Sequence, residues 1–430
     1  MSVVGNAESS KLKARLDQGR LTHLFSTRAG GAPPLIAGRS HEQGILAELI
    51  GGLAQGQPNS VGAVLFGPRG NGKTVLLNAA VSDAQSQHGI DVVSFTPTTC
   101  PTEERLSVRL LEGFEAPQSL SHTVRGGGGV GVAKGQVSRT RTTNLPSPSV
   151  TYAMVERIKR TGKPLVIAVD EAHRLQPNVG EALLNAVQEA NGQQNAAIAL
   201  LAGTPDLIDH IGRMNATFFL HRLGDCLLPM GRISDDAALR AVAEPLRNAD
   251  LTVTRQAEQA IIELCAGYPY FTQVLGRTIT ESPELSVGCP IPLGNPDDAA
   301  HLATRDRFLV RRKKHYRRVW SDLRVGKLVS CGYMLGKVLK ASSGGRMRVD
   351  QVERALETGL THLYEKTSQP PDLDEAKQSL KRLGLLWDPE DTGASYELGI
   401  PSFFGFLTRQ VSQLQPELAA RLDAELPGTP

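Results

Sequence analysis

Gly67-Pro68-Arg69-Gly70-Asn71-Gly72-Lys73-Thr74 is the stretch that decides the fold. It matches G-x-x-x-x-G-K-[ST] in full and stands between an apolar run, VGAVLF at 61–66, and a helical pattern over roughly residues 73–88. A triphosphate packs several negative charges into a small volume, so it needs many convergent donors. Glycines let backbone N–H groups approach it without side-chain clash. Lys73 supplies a point charge, the start of the helix near Gly72 adds free N–H groups and a partial positive charge, and the Thr74 hydroxyl can ligate Mg²⁺. The whole stretch from Gly67 to Thr74 is therefore a candidate nucleotide-binding loop.

Outward from the loop the text alternates. DVVSF (91–95), PLVIAVD (164–170), AAIALLAG (196–203) and DCLLPM (225–230) read as further strands, with a helix from about Val179 to Glu189 among them. Strand, helix, strand is the grammar of a parallel α/β sheet. Residues 35–232 form the expected nucleotide-binding core, interrupted at 116–150 by a Gly126–Gly129 run and Pro146-Ser147-Pro148, which read as a flexible insert. Its Arg125, Lys134, Arg139 and Arg141 suit either a substrate-touching hairpin or a plain surface loop. Ahead of the core, residues 1–34 read as a mobile leader with little function. After it come a helical lid (233–296), a basic linker helix (297–326), a block of three helices and a hairpin (327–412) that suggests a winged helix, and a tail (413–430).

The second half of the site is Asp170-Glu171. An aspartate at the C-terminal end of a strand can hold Mg²⁺ through water, and the next acid, Glu171, can polarise an attacking water. Thr204 follows IALLAG, where a polar side chain would reach the γ-phosphate or that water; as N-cap ahead of Pro205 it would serve a helix start equally well.

Five stretches, IAGRSHEQGIL, GPRGNGKTVLL, LVIAVDEAH, LLAGTP and CAGYPYFTQVLGR, make the chain resemble the bacterial and archaeal AAA+ ATPases related to the origin-recognition and STAND groups, often followed by a winged helix. The likeness spans about residues 35–410. It implies a P-loop NTPase of α/β class, with a parallel five-stranded sheet sandwiched by helices, a helical lid and a C-terminal winged-helix domain. It further implies ATP with Mg²⁺, the loop Gly67 to Thr74 and Asp170-Glu171 on adjacent central strands, and Gly38, Arg39 and Pro269 near the base or phosphates. Gly267 is followed by Tyr268-Pro269-Tyr270, where origin-recognition relatives carry a sensor arginine. An arginine finger from a neighbouring subunit could replace that charge, with Arg222 as the best-placed candidate and Arg213 a weaker one. Slow hydrolysis by a nucleotide-dependent homo-oligomer, used as a switch, is what this implies.

A formal net charge of +3 over 430 residues is too near neutral to imply a polyanion partner, so local clustering must carry that case. RDRFLVRRKKHYRR (305–318) supplies it: eight basic side chains and one acid. As a helix it would set Phe308, Arg312, Tyr316, Val319 and Leu323 along one side. Arg311, Arg312, Lys313, Lys314, Arg317 and Arg318 are the candidate DNA contacts, although basic helices also bridge domains. Against DNA stands the acidic hairpin WDPEDTGASYE with Asp388, Glu390 and Asp391, which favours a protein effector for the C-terminal block. Phe403, Phe404 and Phe406 read as core. Five scattered cysteines, without a C-x-x-C pair, signal neither zinc cage nor disulfide framework. No run approaches the ~18 apolar residues of a membrane span, and a cytoplasmic protein is expected.

Overall fold

The computed structural model describes residues 21–425 apart from 22, 29, 115–147, 194–195, 286–288, 343–345, 365–368 and 391–393. Nearly all of the expected insert, including Arg125, Lys134, Arg139 and Arg141, lies outside the described residues.

Helix α1 (Ser40–Ala54) leads into β1 (Gly62–Phe66), the nucleotide-loop helix α2 (Lys73–Ser86) and β2 (Asp91–Phe95). Then come α3 (Glu103–Leu111), α4 (Val150–Thr161), β3 (Leu165–Val169), α5 (Pro177–Gly192), β4 (Ala197–Gly203), α6 (Leu207–Arg213), α7 (Thr217–His221) and β5 (Leu227–Pro229). The five strands pair in parallel in the order β2-β3-β4-β1-β5. Residues of β1, β3 and β4 are buried throughout, because helices cover both faces of the sheet; hence the unbroken apolar runs where alternation would mark a half-exposed strand.

This order corrects one expectation. The loop of β1 and the Asp170-Glu171 pair of β3 are not on adjacent strands: β4 lies between them, with Phe66 opposite Gly203 and Leu201 opposite Val169. Strand adjacency in a parallel sheet is set by which crossover helices pack on which face, a long-range matter that the order of strands along the chain does not reveal. Thr204, leaving β4, is consequently the residue flanked by both halves.

The segment expected as a lid, called the lid below, is α8 (Asp235–Arg247), α9 (Arg255–Cys265) and α10 (Pro269–Thr280). Ser234 and Thr254 cap the first two through their hydroxyls, and Pro269 starts the third at a position that needs no N–H donor. A long helix α11 (Ala299–Val325) carries the basic segment. The C-terminal block follows as α12 (Val329–Ala341), β6 (Arg346–Arg348), α13 (Val349–Thr361), α14 (Leu373–Arg382), β7 (Leu386–Trp387), β8 (Ser395–Leu398), α15 (Pro401–Leu414) and α16 (Pro416–Ala424). Its strands form an antiparallel sheet in the order β6-β8-β7. The expected tail is in part a packed helix, since Leu418 and Leu422 are buried and the Tyr333 hydroxyl donates to Asp423 at 2.8 Å.

Two apolar cores result. One fills both faces of the parallel sheet. The other runs without a break through the lid, α11 and the C-terminal block, where Phe271, Phe308, Tyr316, Phe403 and Phe406 stack edge to face or at a tilt. The leader contributes to it. Phe25, 2% exposed, lies so close to Gly276 of α10 that any side chain there would strike its ring, and Thr27 accepts a hydrogen bond from Arg277 at 3.3 Å. Of the stretch expected to float, Phe25 and Thr27 thus pack on the lid, because one aromatic side chain buries enough apolar area to hold polar neighbours.

Candidate nucleotide site

Gly67, Gly70 and Gly72 all have positive φ (147, 80 and 89°), which bends the loop into a cup of inward-facing amides at the start of α2. Lys73 is buried and folds back so that its ammonium donates to the carbonyls of Gly67 (2.8 Å) and Pro68 (2.7 Å). Burial lowers its pKa to about 8, against the raising influence of Glu171 and Asp170. Such an ammonium, satisfied only by two neutral carbonyls, is suited to an incoming anion. Thr74 donates to Asp170 at 2.9 Å, so the hydroxyl and carboxylate proposed for the metal meet across the intervening strand. Two oxygens of this kind fit Mg²⁺, which keeps most of its shell for water and phosphate oxygens.

Glu171 stands in the left-handed region at φ 56°, ψ 34°, a backbone setting that costs a non-glycine residue roughly 1 kcal/mol or more. That turn swings its carboxylate to within 3.5 Å of His173 Nε2. His173 is largely buried, and burial lowers its pKa to about 4, so the contact is to a neutral imidazole and not an ion pair. Its Nδ1 accepts from the Thr204 amide at 3.4 Å, which leaves the proton on Nε2, facing Glu171. His173 was not singled out from sequence. Its signal was only its place in LVIAVDEAH, and nothing local shows that its ring spans two strands. Thr204 is 1% exposed and donates to Asp206 at 2.6 Å, while Asp206 itself occupies the N-cap position of α6. Thr204 therefore does not cap the helix.

Arg39, at the N-cap position of α1, is buried and donates to the carbonyls of Asn71 (3.2 Å) and Gly231 and to Glu42 (3.1 Å). It clamps the loop to the exit of β5. Asn71 reinforces that clamp by donating to Met230 O at 3.1 Å. Gly38 sits against Ile233 and Ala237 at the start of the lid. Pro269 lies between two residues that grip the loop: the Tyr268 hydroxyl donates to Arg69 O at 2.6 Å and the Tyr270 amide to Gly70 O at 3.1 Å. Arg222 is exposed, and its carbonyl accepts from Ser60 just ahead of β1. That is the opposite end of the strand from its own loop, about 17 Å away at strand rise, and out of reach in cis.

The C-terminal block also reaches the loop. Gly384, at φ 70°, brings its backbone against Pro68 and Arg69, where a Cβ would come within 3.0 Å of the Arg69 amide. Gly399 packs on Pro68, and Trp387 lies over Gly231 with its ring 6.5 Å from that of Phe66. Helix α14 turns two of its cations to the nucleotide-binding core: Lys381 is 3.6 Å from Asp209 and Arg382 is 3.7 Å from Asp206. On α11, Arg311 pairs with Glu281, and Arg312 lies over the rings of Phe308 and Tyr316. Of the six candidate DNA contacts only Lys313, Lys314, Arg317 and Arg318 are exposed along one side without such engagements among the described residues.

A glycine-rich cup, a lysine and a hydroxyl–carboxylate pair on a five-stranded parallel sheet define a P-loop nucleotide-binding domain. Its fold is that of the AAA+ ATPases. The AAA domain family matches residues 62–211, and that segment of the chain is an AAA domain. No curated protein matches the chain in sequence. Among solved structures it is similar to the Walker-type ATPase PABY2304 of Pyrococcus abyssi, with a TM-score of 0.53 and 16% identity over 86% of this chain and 96% of that one. It is also similar to the ORC2 protein of Aeropyrum pernix in its ADPNP–ADP complexes, with a TM-score of 0.52 and 13% identity over 91% and 98%. At these identities the likeness is one of fold. No helix among the described residues is long and apolar enough to cross a membrane.

Proposed function

We propose that the chain is an ATP-binding, slowly hydrolysing switch that acts on DNA. The observation that carries the reading is the Thr74–Asp170 pair beside Glu171, at the mouth of a loop that the lid and the C-terminal block both touch. On nucleotide binding the Lys73 ammonium would exchange the carbonyls of Gly67 and Pro68 for phosphate oxygens, with the amides of Gly67 to Gly72 around them. Thr74 and Asp170 would hold Mg²⁺, which supplies neutralisation of phosphate charge. Glu171, oriented by the Nε2–H of neutral His173, would take the proton of the attacking water, and Thr204, steadied by Asp206, would sense the γ-phosphate end. Gly38 and Pro269 would border the base, with Arg39 acting through the loop it clamps. Arg222, out of reach in cis, would act on a neighbouring subunit's site, which makes nucleotide-dependent homo-oligomers part of this reading.

The exposed cationic side of α11 supports DNA as partner, and the similarity to an ORC2 protein solved in ADPNP–ADP complexes supports the adenine nucleotide. The helix and strand order of residues 329–398 supports a winged helix. A second reading, a signalling ATPase with a protein effector on the C-terminal block, is favoured by α14, whose Lys381 and Arg382 already lie near Asp209 and Asp206 and whose Lys377 pairs with Glu353. ATP turnover with and without duplex DNA separates the two. DNA stimulation that is lost on charge reversal at Lys313 and Lys314, with turnover in Glu171→Gln reduced by about 10²-fold or more, is the expected result. Turnover indifferent to DNA, with no DNA binding at low salt, would refute the DNA switch.

A further inference from the structure

A cavity of about 430 Å³ opens where the nucleotide loop, α11 and the C-terminal block meet. Arg69 of the loop and His315 and Arg318 of α11 line one part of it, with Asp322 as the acid among the lining residues. Neither guanidinium forms an ion pair among the described residues, and His315 Nε2 is buried without a hydrogen-bond partner. Val319, Leu383 and Ile400 give the rest an apolar wall. The volume falls in the range of small-molecule sites, about 300–1,000 Å³, and the three apolar residues stand beside convergent polar groups, Ser321 among them.

We propose that this cavity is a second anion site, taking a phosphate monoester with an apolar body, and that its occupant reports to the nucleotide loop through Arg69. The phosphate would lie between Arg69 and Arg318, whose forked donors match its oxygens, with His315 Nε2–H as a further donor. The apolar body would lie on Val319, Leu383 and Ile400, and Asp322 would accept from a hydroxyl or amine on the same molecule. The local charge suits an anion: Arg318 adds to burial in holding the His315 pKa down to about 4. Contact with the loop is direct at Arg69. It is also indirect, because the His315 ring lies 5.0 Å from that of Tyr270, whose amide holds Gly70. Since the walls come from three segments, an occupant would hold the C-terminal block against the loop. Arg318 also belongs to the cationic side of α11 offered to DNA, but the site does not need the DNA reading.

The test uses the full chain with the primary site silenced in two ways, by Lys73→Ala and, in the unaltered protein, by saturation with a non-hydrolysable ATP analogue. Phenyl phosphate is titrated by calorimetry, with inorganic phosphate and phenol as the anion-only and body-only probes. Phenyl phosphate is expected to bind in both backgrounds more tightly than either simpler probe, to weaken at least tenfold in Arg318→Ala, and to shift the His315 imidazole resonance. Arg318 is exposed, so its truncation leaves packing intact. Binding that disappears when the primary site is silenced, that ignores Arg318→Ala, or that is absent for phenyl phosphate while duplex DNA still binds, would each overturn the proposal.

Discussion

The parallel-sheet core and the body formed by lid, α11 and C-terminal block meet the nucleotide loop in opposite ways. In the first, β1, β3 and β4 lie side by side with every residue buried, and their C-terminal ends deliver Lys73, Asp170, Glu171 and Thr204 to one edge. In the second, isolated contacts reach the loop from far along the chain: Tyr268 on Arg69, Gly384 and Gly399 on Pro68, Trp387 on Gly231. The first arrangement places the proposed reacting groups. The second can change without disturbing them, because each contact is a small surface and not a shared core. The proposed switch would use both, a rigid site and a body that leans on it.

The largest test of this division is Phe403→Ala. Phe403 is fully buried in the second core, and truncation there should cost about 3–5 kcal/mol. Calorimetry should show a transition that falls in temperature beside a second one, raised by ATP, that stays; a single transition moving as a whole would mean that the two cores unfold as one. Next in size is a pH effect belonging to the sheet core alone. Burial sets the Lys73 pKa at about 8, below its ordinary value, and a bound triphosphate favours the ammonium. Affinity should therefore fall as pH rises above 8, by up to about tenfold per unit, with proton uptake on binding at pH 9 in buffers of different ionisation enthalpy. Gly384→Ala, which disturbs only the second body's contact, should leave that slope alone, and Lys73→Ala should flatten it. Smallest is Asp209→Ala. Its partners Lys381 and Gln378 are partly solvated, so stability should change by under about 1 kcal/mol, measured by urea unfolding. A larger loss would make α14 a structural wedge and sharpen the boundary in the other direction.

Legibility followed the same division. The loop and the Asp170-Glu171 pair could be read because each is a contiguous pattern with its strand and helix beside it. Phe403, Phe404 and Phe406 were legible as core from composition. The strand between loop and carboxylates, the buried His173 joining Glu171 to Thr204, and the clamp made by Arg39 were not, since each depends on residues brought together from remote segments. Phe25 shows the same limit in a polar leader: a single aromatic gives no periodicity, yet it found a slot over Gly276. The basic helix was readable as charge but not as free charge, because Glu281, Glu284 and the rings of Phe308 and Tyr316 occupy part of it.

By itself the sequence determined that a phosphate-binding loop, a carboxylate pair and a parallel sheet would exist, because backbone geometry at glycines and burial of apolar strands are local consequences of residue type. Only the tertiary structure decided which strands are neighbours, which imidazole faces Glu171, which cations stay unpaired, and that Arg69, Arg318 and Leu383 enclose one cavity. Those facts depend on the packing of elements hundreds of residues apart, where many sequences with the same local patterns could be assembled differently.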